Sequence, residues 1–442
     1  MGIKSIYAYL IVCLAVFTSC GLKETDEPGP ERDEEKGQMS VSFQVRAVNG
    51  TGSDEEISEK IGSLRIIMLS DGFIEYNSKI NFDEGSDPEA GGNMAKTFSH
   101  LFQRATVPGN KRFYLIANEE SVDEVLFEGA GNTPDWIEGK TSLTAFLDHY
   151  SKDKLPAEGT IGYEKSGSGR EFEGYLNSLY FKPDYTVANN TVYLPYTAYY
   201  DGFTATSDPN HTEEMTMYLV PVATKFTFNL INFRDEEVDV KAITIGRVNS
   251  TNFLMASLAD NEKTKKLDGT EYYWIDWLEK VVRGTHDAYE DGDEELSDYN
   301  ASVGWIKNYF APESSPLVNY VATPGEGGWK VKKTTDKDNP ESISVEFYCP
   351  ESIKTGRPSE DDPEVFEDGS GKIYFVRFEI QEKSANTPTL SEWMELDALP
   401  ALFRCTHLIV DVDMYQSLVK IYCEMAPWDV WTFKGFVKEE ED

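Results

Sequence analysis

Histidine and cysteine are scarce in this 442-residue chain, with five of each. The histidines stand apart, at His100, His149, His211, His286 and His407. None forms an HExxH pair or joins a set of Cys and His residues at zinc-ligand spacing, the patterns that bring ligands to one side of a zinc ion. No P-loop, GxGxxG fingerprint or GxSxG elbow occurs, and SGSGR (Ser166–Arg170) reads as a flexible turn. The acidic run DGDEE (Asp291–Glu295) fails as an EF-hand, because Leu296 and Ser302 stand where Gly and Glu are required. Neighbouring carboxylates are too common here to single out a glycosidase pair. No residue pattern supports catalysis, so the expectation is no enzyme, no metal and no cofactor.

Positive charge is also short: 41 Lys and Arg against 78 Asp and Glu leave a formal charge of −37. Such a surface repels phosphate backbones and excludes nucleic acid as a partner. It suits an exported protein that must stay in solution. After Ser19, no apolar run reaches the roughly 20 residues that a membrane-spanning helix needs. Beyond Cys13 and Cys20 only Cys349, Cys405 and Cys423 remain, an odd number that allows one disulfide at most. Each sits in an apolar, strand-like setting (EFYC, LFRC, KIYC), which fits a small buried hydrophobe.

What is present begins at the amino end. Met1 to Ser19 has the plan of an export signal: Lys4 supplies the positive start, and Ile6 to Phe17 supply an apolar core. Thr18 and Ser19 then precede Cys20, and the segment resembles the lipobox of bacterial lipoproteins. That resemblance implies a cut between Ser19 and Cys20 and diacylglycerol on the Cys20 thiol. Phe17 departs from the usual Leu at that place. Several acyl chains hold a membrane far more firmly than one, since each buried CH₂ adds about 0.8 kcal/mol. Gly21 to Gly37 is rich in Glu, Asp, Pro and Gly, a composition that stays extended and solvated.

The remainder reads as mainly β. MSVSFQV (Met39–Val45) alternates, placing Val41, Phe43 and Val45 on one face. SLRIIML (Ser63–Leu69) is a near-continuous apolar run, followed by a turn and a second strand in SDGFIEYN. KRFYLIAN (Lys111–Asn118), VKAITIGRV, SISVEFY, KIYFVRFEI and CTHLIVDVDMY are further strands. A helix is expected over Ser142–Tyr150, with Leu143, Phe146 and Leu147 on one face. Asp201–Glu214 fits a linker, and Pro221 predicts a bend or an edge position in MTMYLVPVATKFTFNLINF. Long loops are expected between Ala259 and Pro340. The expected organisation is a signal over 1–19, a tether over 20–37, and two antiparallel β-sandwich domains of transthyretin-like or Greek-key type. Their spans are 38–214 and 215–442, with few short helices.

Taken in order, the lipobox, the acidic tether, the alternating strand ending at Arg46 and SLRIIMLSDGFIEYN resemble the start of the fimbrillins, the type V pilins of Bacteroides-like bacteria. TVPGNKRFYLIAN, LVPVATKFTFNLI, LFRCTHLIVDVDM and KIYCEMAPWDVWTF match later segments of that family. Pro221 departs from the Arg frequent there. The resemblance implies an outer-membrane surface lipoprotein that is cut after an Arg, here between Arg46 and Ala47. The cut would release the strand bearing Val41, Phe43 and Val45, and a strand from another pilin subunit would replace it. Burying each of those side chains is worth about 1.5–3 kcal/mol, so an emptied groove demands a substitute. The donor is expected in the carboxy-terminal segment, with Trp431 and Phe433 on one face and Val430 on the other. Partners would be other pilin subunits, outer-membrane lipid before processing, and host or bacterial surface ligands. Length and loop content suggest an accessory or tip position in the fimbrium.

Plainer alternatives remain open. Arg46 reads equally as a surface charge at a strand end, and Trp428 and Trp431 as core of the last strand. A glycan-binding surface lipoprotein would stack sugars on Trp274, Trp277 or Trp329. A pilus anchor would keep its lipid and never be cut.

Overall fold

The computed structural model describes residues 37–47, 61–70, 73–81, 98–106, 108–127, 142–154, 168–183, 185, 193–205, 215–255, 264–265, 271–272, 315–324, 327–336, 339–352, 357–359, 361–362, 365–367, 374–396, 402, 404, 406–416, 418–427 and 431–436. The export segment, Cys20 and nearly all of the tether lie outside the described residues. The fold is mainly β, and strands are numbered here along the chain.

Eight strands form the first sheet, in the order β3-β2-β5-β8-β9-β25-β1-β4. They are β1 (Gly37–Ala47), β2 (Ser63–Ser70), β3 (Phe73–Asn81), β4 (Phe98–Thr106), β5 (Gly109–Ala117), β8 (Tyr196–Ala205), β9 (Met215–Pro221) and β25 (Trp431–Phe436). The near-continuous apolar run of β2 has a simple cause: every residue in it is buried, because both faces of the sheet are covered. Leu64, Ile66 and Met68 pack with Phe113, Leu115 and Tyr196 on one side. Ile67 and Leu69 pack with Tyr114 and Ile116 on the other, under two helices.

Those helices are α1 (Leu143–Lys154) and α2 (Ser168–Ser178). Leu143, Phe146 and Leu147 are fully buried, as their shared face predicts. Helix α2 is a correction, since its first residues belong to the segment read as a flexible turn. Phe172 and Leu176, four apart, anchor it in the same core despite its two glycines. Beneath the helices lies a small sheet, β12-β7-β6, of Asn252–Phe253, Leu179–Phe181 and Val125–Phe127.

The second half is a two-sheet sandwich. One sheet runs β17 (Ser342–Cys349), β10 (Thr224–Asn232), β23 (Thr406–Met414), β24 (Val419–Pro427). The other runs β15 (Leu317–Ala322), β11 (Val238–Asn249), β20 (Tyr374–Glu382), β21 (Thr389–Leu390). Strand β16 (Trp329–Val331) joins β11, and β22 (Met394–Leu396) joins β20. Alternating inward residues of both sheets meet in one core. Phe226, Phe228 and Phe347 stack at 5.4–5.8 Å, and Phe228 meets Phe378 of the facing sheet edge-on at 5.8 Å. Two ribbons complete the strands: β13 (Thr264–Lys265) with β14 (Glu271–Tyr272), and β18 (Arg357–Pro358) with β19 (Phe366–Glu367). Gly246, in the bulge of β11 against β15, faces the Phe366 ring so closely that a Cβ would stand 2.7 Å from it.

Several expectations shift. Among the described residues, the named strands pair antiparallel except β10 and β23, which run parallel over nine paired positions from Thr224↔Thr406 to Asn232↔Met414. The pattern of apolar alternation is blind to strand direction, so the sequence carried no sign of this. The segment read as a linker supplies Asp201–Ala205 to β8. Met215–Pro221, where the second domain was expected to open, is hydrogen-bonded into the first sheet through β8 and β25. The chain turns at 222–223, directly after Pro221, and β10 opens the second sheet. The loops expected between Ala259 and Pro340 contain β15 and β16.

Among the described residues, three buried ion pairs are built into this frame. Arg65 grips Glu119 with Nε at 2.6 Å and Nη2 at 2.7 Å, and also reaches Asp148 at 2.8 Å and Asn77 at 3.0 Å. Burial works against its charge, but Glu119 and Asp148 outweigh that and leave its pKa raised. Lys111 donates to Glu75 at 2.5 Å and to Ser70 at 2.6 Å. Arg404 binds Glu351 through Nε at 2.9 Å and Nη2 at 2.7 Å, and its guanidinium also donates to the Phe253 and Leu254 carbonyls. Its Nη1 lies 3.4 Å from the Thr197 hydroxyl of β8, so this pair pins the second sandwich to the first sheet.

Candidate functional site: the seam between the terminal strands

The alternating GQMSVSFQVRA segment forms β1, and WTFKGF, near the other end of the chain, forms β25. Aromatic and β-branched residues favour the extended state in both. The first and last described strands lie side by side. Ser42, Phe43, Gln44, Val45, Arg46 and Ala47 stand opposite Phe436, Gly435, Lys434, Phe433, Thr432 and Trp431, in antiparallel register. On its other side β1 is antiparallel to β4, from Gly37↔Thr106 to Val45↔Phe98. β25 is held in turn by β9, with Trp431 opposite Leu219 and Gly435 opposite Met215.

The order β9-β25-β1-β4 gives β1 a special position. Among the described residues, β4 is the end strand and its ladder runs to β1 alone. Withdrawing β1 would strip β4 of its partner and bare one edge of β25. With strands about 4.8 Å apart, the vacated slot is roughly 9.6 Å across, the width of one strand. Its two walls present unpaired N–H and C=O groups, each of which a new strand restores at about 0.5–1.5 kcal/mol net. The chemistry available at this seam is exchange of backbone hydrogen bonds.

The expected site residues fall unevenly on this geometry. Val41 stands opposite Phe102, and Phe43 and Val45 have partners on both sides, Gly435 with His100 and Phe433 with Phe98. Arg46 was expected to end the strand, with the cut falling just beyond it. The strand instead continues through Ala47, because β25 extends beyond the end of β4 and still offers Thr432 and Trp431 as partners. Trp431 and Phe433 lie in β25, within their own chain's sheet. Val430, Trp428, Ser19 and Cys20 lie outside the described residues. Sequence reasoning passed over β4 (FSHLFQRAT), whose apolar residues follow neither a clean two-residue alternation nor a continuous run.

Of the tryptophans considered for sugar stacking, Trp274 and Trp277 lie outside the described residues. Trp329 is half-buried in β16 and packs against the second core. Cys349 is a buried thiol in that core, its pKa pushed well up by burial. Among the described residues, no group of three or more His, Cys, Asp or Glu side chains is arranged to hold a metal ion.

No protein-family model matches the sequence, and no curated protein matches it. Solved structures similar to this one include the carboxy-terminally truncated tip fimbrial protein Mfa3 of Porphyromonas gingivalis. It is 12% identical, with a TM-score of 0.42, over 88% of this chain and 100% of that one. A fimbrilin of the same species is 11% identical, with a TM-score of 0.38, over 88% and 97% of the two chains. A fimbrial assembly protein of Parabacteroides distasonis is 10% identical, with a TM-score of 0.36, over 89% and 100%.

Proposed function

We propose that this chain is a structural or accessory subunit of a type V pilus, supporting adhesion. It is exported as a lipoprotein through Cys20, cut after Arg46, and assembled when a strand of another pilin subunit takes the place of β1. The observation that carries this reading is the position of β1: one amino-terminal strand stands between β25 and β4, and β4 has its ladder with β1 alone among the described residues. A strand so placed can leave and be replaced without rebuilding the interior ladders β2-β5-β8, which favours strand addition over refolding. The partner would supply Val430, Trp431 and Phe433 of its own carboxy-terminal strand. Membrane lipid is the partner only of the uncut precursor, at the outer-membrane surface.

The test is the amino-terminal residue of the protein recovered from the cell surface. Ala47 is the expected result for a polymerising subunit. Cys20 still acylated on protein within fibres would overturn the processing step and favour an uncut anchor. That second reading has one observation on its side, since Arg46 and Ala47 sit in a paired strand and not in an open loop.

A further inference from the structure

The pairing of β1 with β25 has a consequence for when the chain can be cut. A protease must seat several residues around the scissile bond in its own cleft, as an unpaired extended segment. A bond held in a ladder reacts only from its opened form, at a rate set by how often that form occurs. The Arg46–Ala47 bond lies in such a ladder, and the two sides of the strand are not equal there. β4 gives its last partner at Val45, whereas β25 pairs with both Arg46 and Ala47. β25 is itself clamped from behind by β9 at Trp431 through Gly435.

We propose that β25 is a lid on the Arg46–Ala47 bond, so that the carboxy-terminal strand controls processing of the amino-terminal one. The inference rests on the processing reading given above for its biological meaning, though the protection itself is a property of the fold. The lock is reciprocal. While β1 is in place, the slot beside β4 is filled and one edge of β25 is occupied. A single cut removes β1 up to Arg46, which opens the slot and frees that edge of β25 in one event. The acceptor slot is therefore withheld in the uncut chain, which keeps it from joining others prematurely.

Gln44 and Lys434 stand directly opposite each other across this pair. The full chain carrying Gln44→Cys with Lys434→Cys can be compared with itself, oxidised and reduced, under limiting trypsin. The readout is the mass-detected product beginning at Ala47 at early times. Oxidation is expected to slow that product at least tenfold, and reduction to restore it. A second variant, Thr432→Pro, takes a backbone donor out of β25. It is expected to speed the Ala47 product about tenfold while the chain's other early cuts keep their rates. Equal rates in the oxidised and reduced protein, or no acceleration in Thr432→Pro, overturn the lid. So does absence of the product from every form, since something other than β25 would then guard the bond. A surface protein that begins at Cys20 would sink the processing reading and leave the trypsin result standing, so the two failures are separable.

Discussion

The two halves of this molecule fill their interiors differently. In the first sheet, charge is carried inside: Arg65 of β2 and Lys111 of β5 are buried beside Glu119 and Glu75. In the second sandwich, the inward positions of β10, β17, β11 and β20 are aromatic and aliphatic, with Phe226, Phe228 and Phe347 stacked at the centre. The difference follows from layering. A strand covered on both faces has no wet side on which to place a charge, so any charged residue in it must find a buried partner. A sandwich strand keeps one face toward water and can sort its residues by alternation. The first arrangement spends desolvation energy and gains fixed pairings; the second gains packing directly.

The junction between the halves should be the most sensitive place. Arg404→Ala leaves the Glu351 carboxylate buried without its cation, a loss of about 3–5 kcal/mol in chemical unfolding at pH 7. Burial already raises the Glu351 pKa above its ordinary 4.5, with Arg404 opposing the rise. Removing Arg404 removes that opposition, so the carboxyl goes higher still. A raised folded-state pKa means stability present below the ordinary carboxylate range and lost as pH climbs through the folded value. The defect of Arg404→Ala should therefore shrink as pH falls toward 4.5, and a defect independent of pH would show that Glu351 is not left charged.

The aromatic core offers the matching single change. Phe228→Ala removes a ring that contacts Phe226, Phe347 and Phe378, and should cost about 3–5 kcal/mol with a cavity left behind. The contrast between the halves appears in paired replacements. Lys111→Met with Glu75→Leu exchanges a buried pair for apolar volume and should lie between neutral and about 4 kcal/mol more stable. Phe228→Ala with Phe347→Ala should exceed either single loss, because nothing refills the space. If the charge-for-apolar exchange costs as much as the double aromatic loss, the Lys111–Glu75 pair contributes net stability and the comparison fails.

The same contrast marks what could be read from the sequence. Alternation in SISVEFY and KIYFVRFEI gave strands because one face stays wet, and Pro221, the last residue of β9, marked the bend that follows it. SLRIIML was legible as apolar, yet the Arg65 inside it carried a message that was passed over: an Arg in a buried run requires an acid, and Glu119 lies 54 residues away. The helix at Leu143–Lys154 showed its apolar face, while the one at Ser168–Ser178 was masked by two glycines. At the seam, β1 was legible and its neighbours were not. Which strand lies beside which is decided by long-range pairing, and β1 meets residues near both Phe98 and Trp431. Composition within either segment records nothing of that distance.

The smallest effect concerns a thiol. Cys349 ends β17 in the second core, fully buried, and its pKa is raised by desolvation, so at pH 7–8 it stays protonated and shielded. Cys423, on the edge strand β24, is half-buried. Alkylation of the folded protein followed by peptide mass mapping should leave Cys349 unmodified until the second sandwich unfolds. In the Phe228→Ala variant, Cys349 should become reactive at lower denaturant, because both residues belong to one core. In the Lys111→Met, Glu75→Leu protein its protection should be unchanged, since that pair lies in the first sheet. Equal deprotection of Cys349 by both variants would mean that the two halves open as one cooperative unit, with the Arg404–Glu351 pair too tight to let either yield alone.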